Sequence, residues 1–295
     1  MRKFIPDLKT QRRLISAAHH IRIYEADLKT QALGGVSEPG SNGIYVPNNG
    51  TAVTGGIYVR GNQGQSSDDA VISLSTDVNG NAVYSITRNT STTVVTVDYA
   101  NNQTKVQAGA TNTYQGIPDG TGNDGVILYV NDNIKSISGT VQKDSRVTVS
   151  SERDIVITNN IMYEKDPRIS GNENYANLMG ILSWGGNVRI GASAPNNVEI
   201  NGVVMAPTGV FTVDNYNSGP ARGVATLLGG SITQFYGAFG TFSGDTPRTG
   251  YGRNFIYDSR MLQGIAPPYF PYIGSFTSSD DGGLDTKLTW QDKGV

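Results

Sequence analysis

The residues best placed for chemistry are oxygen donors. Asp119-Gly-Thr-Gly-Asn-Asp124 sets Asp119, Asn123 and Asp124 around two glycines, so hard carboxylate and amide oxygens could join exposed backbone carbonyls around Ca²⁺. The segment occurs once. Such a turn needs neighbouring turns to complete the ligand shell, so an ordinary loop is the leading reading and no cofactor other than calcium comes into question. A second acidic patch, Asp280-Asp281-Gly-Gly-Leu-Asp285, is a weaker candidate of the same kind. His19 and His20 are the only histidines, and the chain has no cysteine. Adjacent helical residues diverge and do not chelate as an i, i+4 pair does. Transition-metal sites, thiolate zinc and disulfides are therefore excluded, and so is a Ser/His/Asp triad, since both histidines lie in the N-terminal segment that reads as a helix.

Glycoside hydrolysis requires two carboxylates across a cleft. Glu164, Asp166, Glu173, Asp214, Asp245 and Asp258 are available, but none falls in a distinctive motif. A lyase would add cation-bridged carboxylates and a basic Lys or Arg, and no such cluster is visible. The expectation is that the chain is not an enzyme. Ten aromatic residues crowd the last third: Phe235, Tyr236, Phe239, Phe242, Tyr251, Phe255, Tyr257, Tyr269, Phe270 and Tyr272. Most are expected to pack as a cap over a core end. The alternative is a face that stacks on sugars or docks a partner.

The elements that must hold these residues follow from composition. The 295 residues include 37 glycines, 12 prolines and 25 asparagines, with 37% hydrophobic and only 16% charged residues. This is a many-turned β composition with enough apolar surface for a core. The net charge of −2 leaves no electrostatic footprint for coating nucleic acid. The longest clean apolar run, Val126 to Val130, is far below the ~18 residues of a membrane helix.

Residues 1–34 differ from the remainder. They hold seven Lys/Arg against three Asp/Glu and one glycine, Gly34. Leu14, Ala17, Ile21, Tyr24 and Leu28 recur at spacings of three and four, which predicts an amphipathic helix from about Leu8 to Leu33. Arg12, Arg13, His19, His20 and Arg22 interrupt it, so it does not read as a signal peptide. Its stripe is expected to cap the first strands near Ile44 and Ile57, with assembly against copies of itself or a pilin as the alternative.

From Val36 onward short β-branched and aromatic runs alternate with turn residues. The reading divides the chain into 1–34 helix, 35–124 irregular β, 125–262 β core and 263–295 C-terminal extension or cap. Two architectures compete: an elongated parallel β-solenoid and an antiparallel sandwich. A five-residue pattern favours the solenoid: Ile137-Ser-Gly-Thr-Val141, Ile157-Thr-Asn-Asn-Ile161 and Leu228-Gly-Gly-Ser-Ile232, with Ile200-Asn-Gly-Val203 as a shorter variant. Gly or Asn is expected to turn a corner there in a left-handed conformation. At roughly 20 residues per rung, 125–262 would make about six or seven rungs. Between Ala70 and Val106 the alternation is that of hairpins, with Asn79-Gly80 and Asn101-Asn102 as turns.

Several blocks resemble a family. Pro195 to Tyr216, Leu228 to Phe242, Thr249 to Leu262 and Pro267-Pro-Tyr-Phe-Pro271 are similar to a bacterial envelope domain of unknown function found in PilX-like type IV pilus-assembly proteins. Gly125 to Asn131 and Ile137 to Val141 fit it as well, and the resemblance spans roughly Gly55 to Trp290. It implies a surface-exposed, non-enzymatic β-rich domain, extracellular or at the bacterial cell surface. Its implied partners are pilin-like or envelope proteins, self-assembly, or a surface glycan. Proteins of that family begin with a hydrophobic pilin helix, and nothing like it precedes Leu8. Separately, the Asp119 segment is similar to one turn of the calcium-binding nonapeptide of toxin-type β-rolls.

Overall fold

The computed structural model describes residues 27–62, 69–122 and 125–270. Among these residues the chain is mostly β, and seventeen strands form one large, mixed, unclosed sheet. They are β1 (Gly43–Tyr45), β2 (Ile57–Arg60), β3 (Ala70–Thr76), β4 (Ala82–Arg88), β5 (Ser91–Asp98), β6 (Gln103–Ala108), β7 (Ala110–Gln115), β8 (Val126–Val130), β9 (Ile134–Val141), β10 (Arg146–Ser151), β11 (Ile155–Tyr163), β12 (Leu178–Ser183), β13 (Val188–Ile190), β14 (Glu199–Val213), β15 (Ala221–Phe235), β16 (Gly240–Ser243) and β17 (Thr246–Tyr257).

Parallel pairing links strands far apart in sequence into three ladders. The first aligns Ile57, Leu128, Val149, Ile181, Val204 and Ser231. The second aligns Ile72, Ile137, Ile157, Ile190 and Val213. The third aligns Leu74, Gly139, Ile161, Ile200, Leu227 and Phe255. From β8 onward the chain visits the ladders repeatedly in that order. Branched aliphatic side chains from all three fill one buried cluster, the packing that suits β-branched residues on a pleated surface. The first ladder has five strands after residue 125, namely β8, β10, β12, β14 and β15. Six or seven levels were expected. The connections between ladders, such as 164–177, are longer than the assumed rung allowed.

From β2 to β14 the first ladder is buried on both faces. Tyr58, Ile127, Tyr129, Leu182, Val203 and Met205 point away from the main core and form a second cluster with Leu28, Ala32, Leu33 and Phe270. This explains the unbroken apolar run of β8, since a parallel strand covered on both sides needs no polar alternation. The cover comes from the helical turn 27–33 and the segment 258–270. The Gly56 N–H donates to Gln31 O at 3.1 Å, and Phe270 lies where a side chain on Gly180 would stand. The described turn thus roofs the side of the first ladder beside Ile57, one of the two residues near which the helix was expected to lie. Leu14, Ala17, Ile21 and Tyr24 lie outside the described residues.

The hairpin expectation for Ala70 to Val106 agrees with β3 to β6, which pair antiparallel in sequence order, and β7 extends the meander by one further antiparallel strand. Asp77 accepts from the N–H groups of Asn79 and Asn81, and Asp98 from that of Asn101. These bonds turn the chain where Gly80 (φ 82°) and Asn102 (φ 50°) adopt positive φ.

The five-residue corners differ from expectation in mechanism. Gly139 (φ 120°) and Gly229 (φ 148°) do have positive φ, but neither is in the compact left-handed helical well. Glycine is required there by close backbone approach. A Cβ on Gly139 would stand 1.9 Å from Leu74 O, and one on Gly229 2.1 Å from Gly202 O. Asn159 and Asn160 are not among the residues of positive φ. Asn160 serves through its side chain, whose Oδ1 accepts from Glu199 N at 2.9 Å.

Candidate functional site

The third ladder ends at Phe255, and among the described residues the 251–257 edge of β17 has no strand beyond it. Phe255 packs against Phe211 at 6.2 Å and edge-on to Phe239 at 5.7 Å, yet it is 48% exposed because no further strand among the described residues covers it. Elsewhere in the last three strands and the connection after β15, Phe235, Tyr236, Phe242 and Tyr257 are also exposed. The Arg253 guanidinium lies 4.1 Å from the Tyr236 ring centroid and 4.5 Å from that of Phe239. Its Nη2 donates to Gly237 O at 2.6 Å. This holds Tyr236 by a cation–π contact while leaving most of its ring open to solvent. Burial pulls the Arg253 pKa downward from its ordinary value. The arrangement is a fixed aromatic surface beside a cation, suited to stacking on planar or ring-shaped partners and to burying apolar side chains.

The aromatic cap is therefore partial. Phe239, Tyr251 and Phe270 are buried as expected of packing residues, whereas Phe235, Tyr236, Phe242, Phe255 and Tyr257 are exposed. Tyr272 lies outside the described residues.

Of the calcium candidates, Asp119 is buried in a loop, with its N–H donated to Ile117 O at 2.9 Å. Asn123 and Asp124 lie outside the described residues, as do His19, His20, Asp280, Asp281 and Asp285. The loop is tied to the helical turn by Thr121, whose N–H and hydroxyl both donate to Gln31 Oε1 at 2.7 Å. Among the described residues no group of three or more His, Cys, Asp or Glu side chains is placed to hold a metal.

Five of the six carboxylates considered for glycoside hydrolysis serve structural bonds. Glu164 accepts from Lys143 N at 2.8 Å, and Glu173 from Gly171 N at 2.9 Å. Asp214 pairs with Arg189 at 2.7 Å. Asp166 takes a two-pronged bond from Arg168, which also reaches Glu199. The Arg168 bond holds the Asp166 pKa below its ordinary value despite some desolvation, the reverse of what a general acid requires. Asp258 is clasped by Arg260. Asp245 sits in the exposed turn between β16 and β17.

Sequence reasoning missed a polar ladder at the corner between the first two ladders. Asn133 Nδ2 donates to Asp69 Oδ1 at 3.2 Å, Asp154 N to Asn133 Oδ1 at 3.1 Å, Asn187 N to Asp154 Oδ1 at 2.8 Å and Val210 N to Asn187 Oδ1 at 3.0 Å. The signal was present. Asp69, Asn133, Asp154 and Asn187 each stand directly before β3, β9, β11 and β13. Compared with protein-family models, with curated proteins and with solved structures, the chain matches none.

Proposed function

We propose that this chain is a non-enzymatic structural or adhesive component displayed at a bacterial cell surface in a type IV pilus-like system. In this reading the three ladders are the sides of an elongated parallel β-solenoid, which acts as a rigid spacer presenting the aromatic surface at the end of β17. The observation that carries it is the exposure of five aromatic residues along the last three strands and the connection after β15, two of them, Phe255 and Tyr257, on an unpaired strand edge. Exposing that much aromatic surface opposes folding economy, since each ring would gain by burial, so a contact surface is the natural explanation. The bonding of the candidate carboxylates to arginines and backbone amides also supports a non-catalytic role.

The test is the double variant Tyr236→Ser/Phe242→Ser, displayed on cells and compared with the parent for adhesion and filament incorporation. Loss of either property with an unchanged melting temperature is the expected result. Unimpaired adhesion and incorporation would remove the role of this surface, and reproducible cleavage of a polysaccharide by the purified chain would overturn the non-enzymatic reading.

A second reading is a carbohydrate-binding solenoid of the cell envelope. The exposed rings of Tyr236 and Tyr257, each with a hydroxyl beside an apolar face, favour it. A glycan array with the same double variant as control separates the two: saturable binding lost in the variant supports the carbohydrate reading.

A further inference from the structure

The β3–β7 meander holds a polar cavity of about 240 Å³ on the face turned away from the core. Val95 and Val97 enter the main core and Thr104 is fully buried. Their alternating neighbours Thr96, Asp98, Gln103 and Lys105 therefore stand on the opposite face. Register then groups these side chains. Thr96, Lys105 and Thr113 lie directly opposite one another across β5, β6 and β7, and Asp98 lies opposite Gln103. The turn between β3 and β4 supplies the remaining wall with Asp77, Asn79 and Asn81.

The cavity concentrates hydrogen-bonding capacity that the fold does not use. Elsewhere, facing hydroxyls satisfy one another: Thr87 Oγ1 lies 2.8 Å from Thr92 Oγ1, and Thr241 Oγ1 2.7 Å from Thr249 Oγ1. Among the described residues the side chains of Thr96, Gln103, Lys105 and Thr113 make no hydrogen bond or ion pair. The two carboxylates supply acceptors. Bonds from the Asn81 and Asn101 amides hold the Asp77 and Asp98 pKa values below their ordinary ones. An ionised carboxylate has about four acceptor sites. Asp77 accepts from Asn79 N, Asn81 N and Asn81 Nδ2, and Asp98 from Asn101 N and Nδ2, so both keep capacity toward the cavity.

We propose that this cavity binds a single neutral or amino sugar ring, the terminal residue of a glycan. Its volume lies below the roughly 300–1,000 Å³ of pockets for drug-sized ligands, which suits one ring and not a chain. Hydroxyls on adjacent ring carbons both donate and accept, matching carboxylates beside an ammonium, an amide and two threonine hydroxyls. An apolar ligand would strip water from these groups and leave them unpaired. Two carboxylates against one ammonium disfavour uronates and sugar phosphates. The site is separate from the aromatic surface of β17 and does not rest on the role of that surface.

The test is calorimetric titration of the full chain with the methyl glycosides of glucose, galactose and mannose, with N-acetylglucosamine and with glucosamine. Glucuronate is the acidic control. At least one neutral or amino sugar should bind saturably, and glucuronate at least about tenfold more weakly. Gln103→Ala/Lys105→Ala should weaken binding at least about tenfold and melt with the parent, because neither side chain has a bond to lose. Thr113→Trp fills the cavity and should abolish binding. Tyr236→Ser/Phe242→Ser should bind as the parent does, which separates this site from the aromatic surface. Amide NMR of the parent during the titration, with shifts expected at Thr96, Lys105 and Thr113, locates the site even if a variant does not fold. The proposal is overturned if no sugar binds at millimolar concentration, if glucuronate binds as tightly as the others, or if the shifts fall elsewhere. Binding that survives both cavity variants, or that is lost in Tyr236→Ser/Phe242→Ser, overturns it as well.

Discussion

Asp258 and Arg260 grip each other fork to fork at 2.6 Å with side chains only 1% and 4% exposed, and they fasten the end of the described chain to the ladders. Arg260 Nη1 also donates to Tyr175 O at 2.9 Å, and its guanidinium lies 5.2 Å from the Tyr163 ring. The pair begins the segment whose later residues, through Phe270, roof the first ladder. Replacing Arg260 with Ala strands a buried Asp258 carboxylate and is expected to cost about 3–5 kcal/mol in urea unfolding. A loss below about 1 kcal/mol would show that the segment is held by packing alone.

The glycine corners give a graded prediction. Gly80 also has positive φ, but nothing stands within 4 Å of where its Cβ would be. Gly80→Ala should cost about 1 kcal/mol from backbone strain. Gly139→Ala adds collision with the Leu74 carbonyl and should cost about 3 kcal/mol or more. Equal losses at the two positions, measured by denaturant midpoints, would mean that close approach does not determine the corner residue.

Leu28 tests the helical turn. It is fully buried beside Tyr58, Ile127 and Tyr129 in the second cluster. Leu28→Ala should destabilise the monomer by about 2–5 kcal/mol, and Leu28→Asp by more. A monomer that melts unchanged while oligomers or filaments disappear would assign this residue to assembly and not to its own chain.

Strand positions were readable where one strand meets one apolar run. Leu178–Ser183 is both the run and the strand β12. Runs at Val198–Ala206 and Gly209–Val213 proved to be one strand, β14, because Pro207 and Thr208 continue the extended backbone through a register shift opposite β15. Strand β7 was invisible: Ala110–Gln115 is mostly exposed and polar, and it exists because it pairs with β6. The aromatic surface was legible as a cluster of residue types, but exposure depends on which strand is last in the ladder, and periodicity does not encode that. The packing of Gly61 on Asp132 was beyond reach for a similar reason, since the two are seventy-one residues apart and adjacent only after the first ladder forms.

The last prediction concerns acid. Glu38 follows the helical turn and collects four partners: Tyr58 Oη at 2.6 Å, Lys29 Nζ at 3.0 Å, Asn131 Nδ2 at 3.1 Å and Arg60 Nη1 at 3.7 Å. Burial alone would push its pKa up; the Tyr58 and Lys29 bonds and the charges of Lys29 and Arg60 outweigh it and hold the pKa below its ordinary value. A carboxyl depressed in the folded state contributes stability that is fully present above its unfolded pKa and is lost as pH falls through the folded one. The side chain is 32% exposed, so screening limits the contribution to about 1 kcal/mol. Glu38→Gln should therefore be less stable than the parent at pH 7 and converge with it below about pH 3, once Glu38 is protonated in both states. Tyr58 provides a check, because burial and the Glu38 charge both raise its pKa. In Glu38→Gln the tyrosine should titrate at lower pH by absorbance. A stability gap that stays constant from pH 7 to pH 3 would mean that Glu38 acts by its shape and not by its charge.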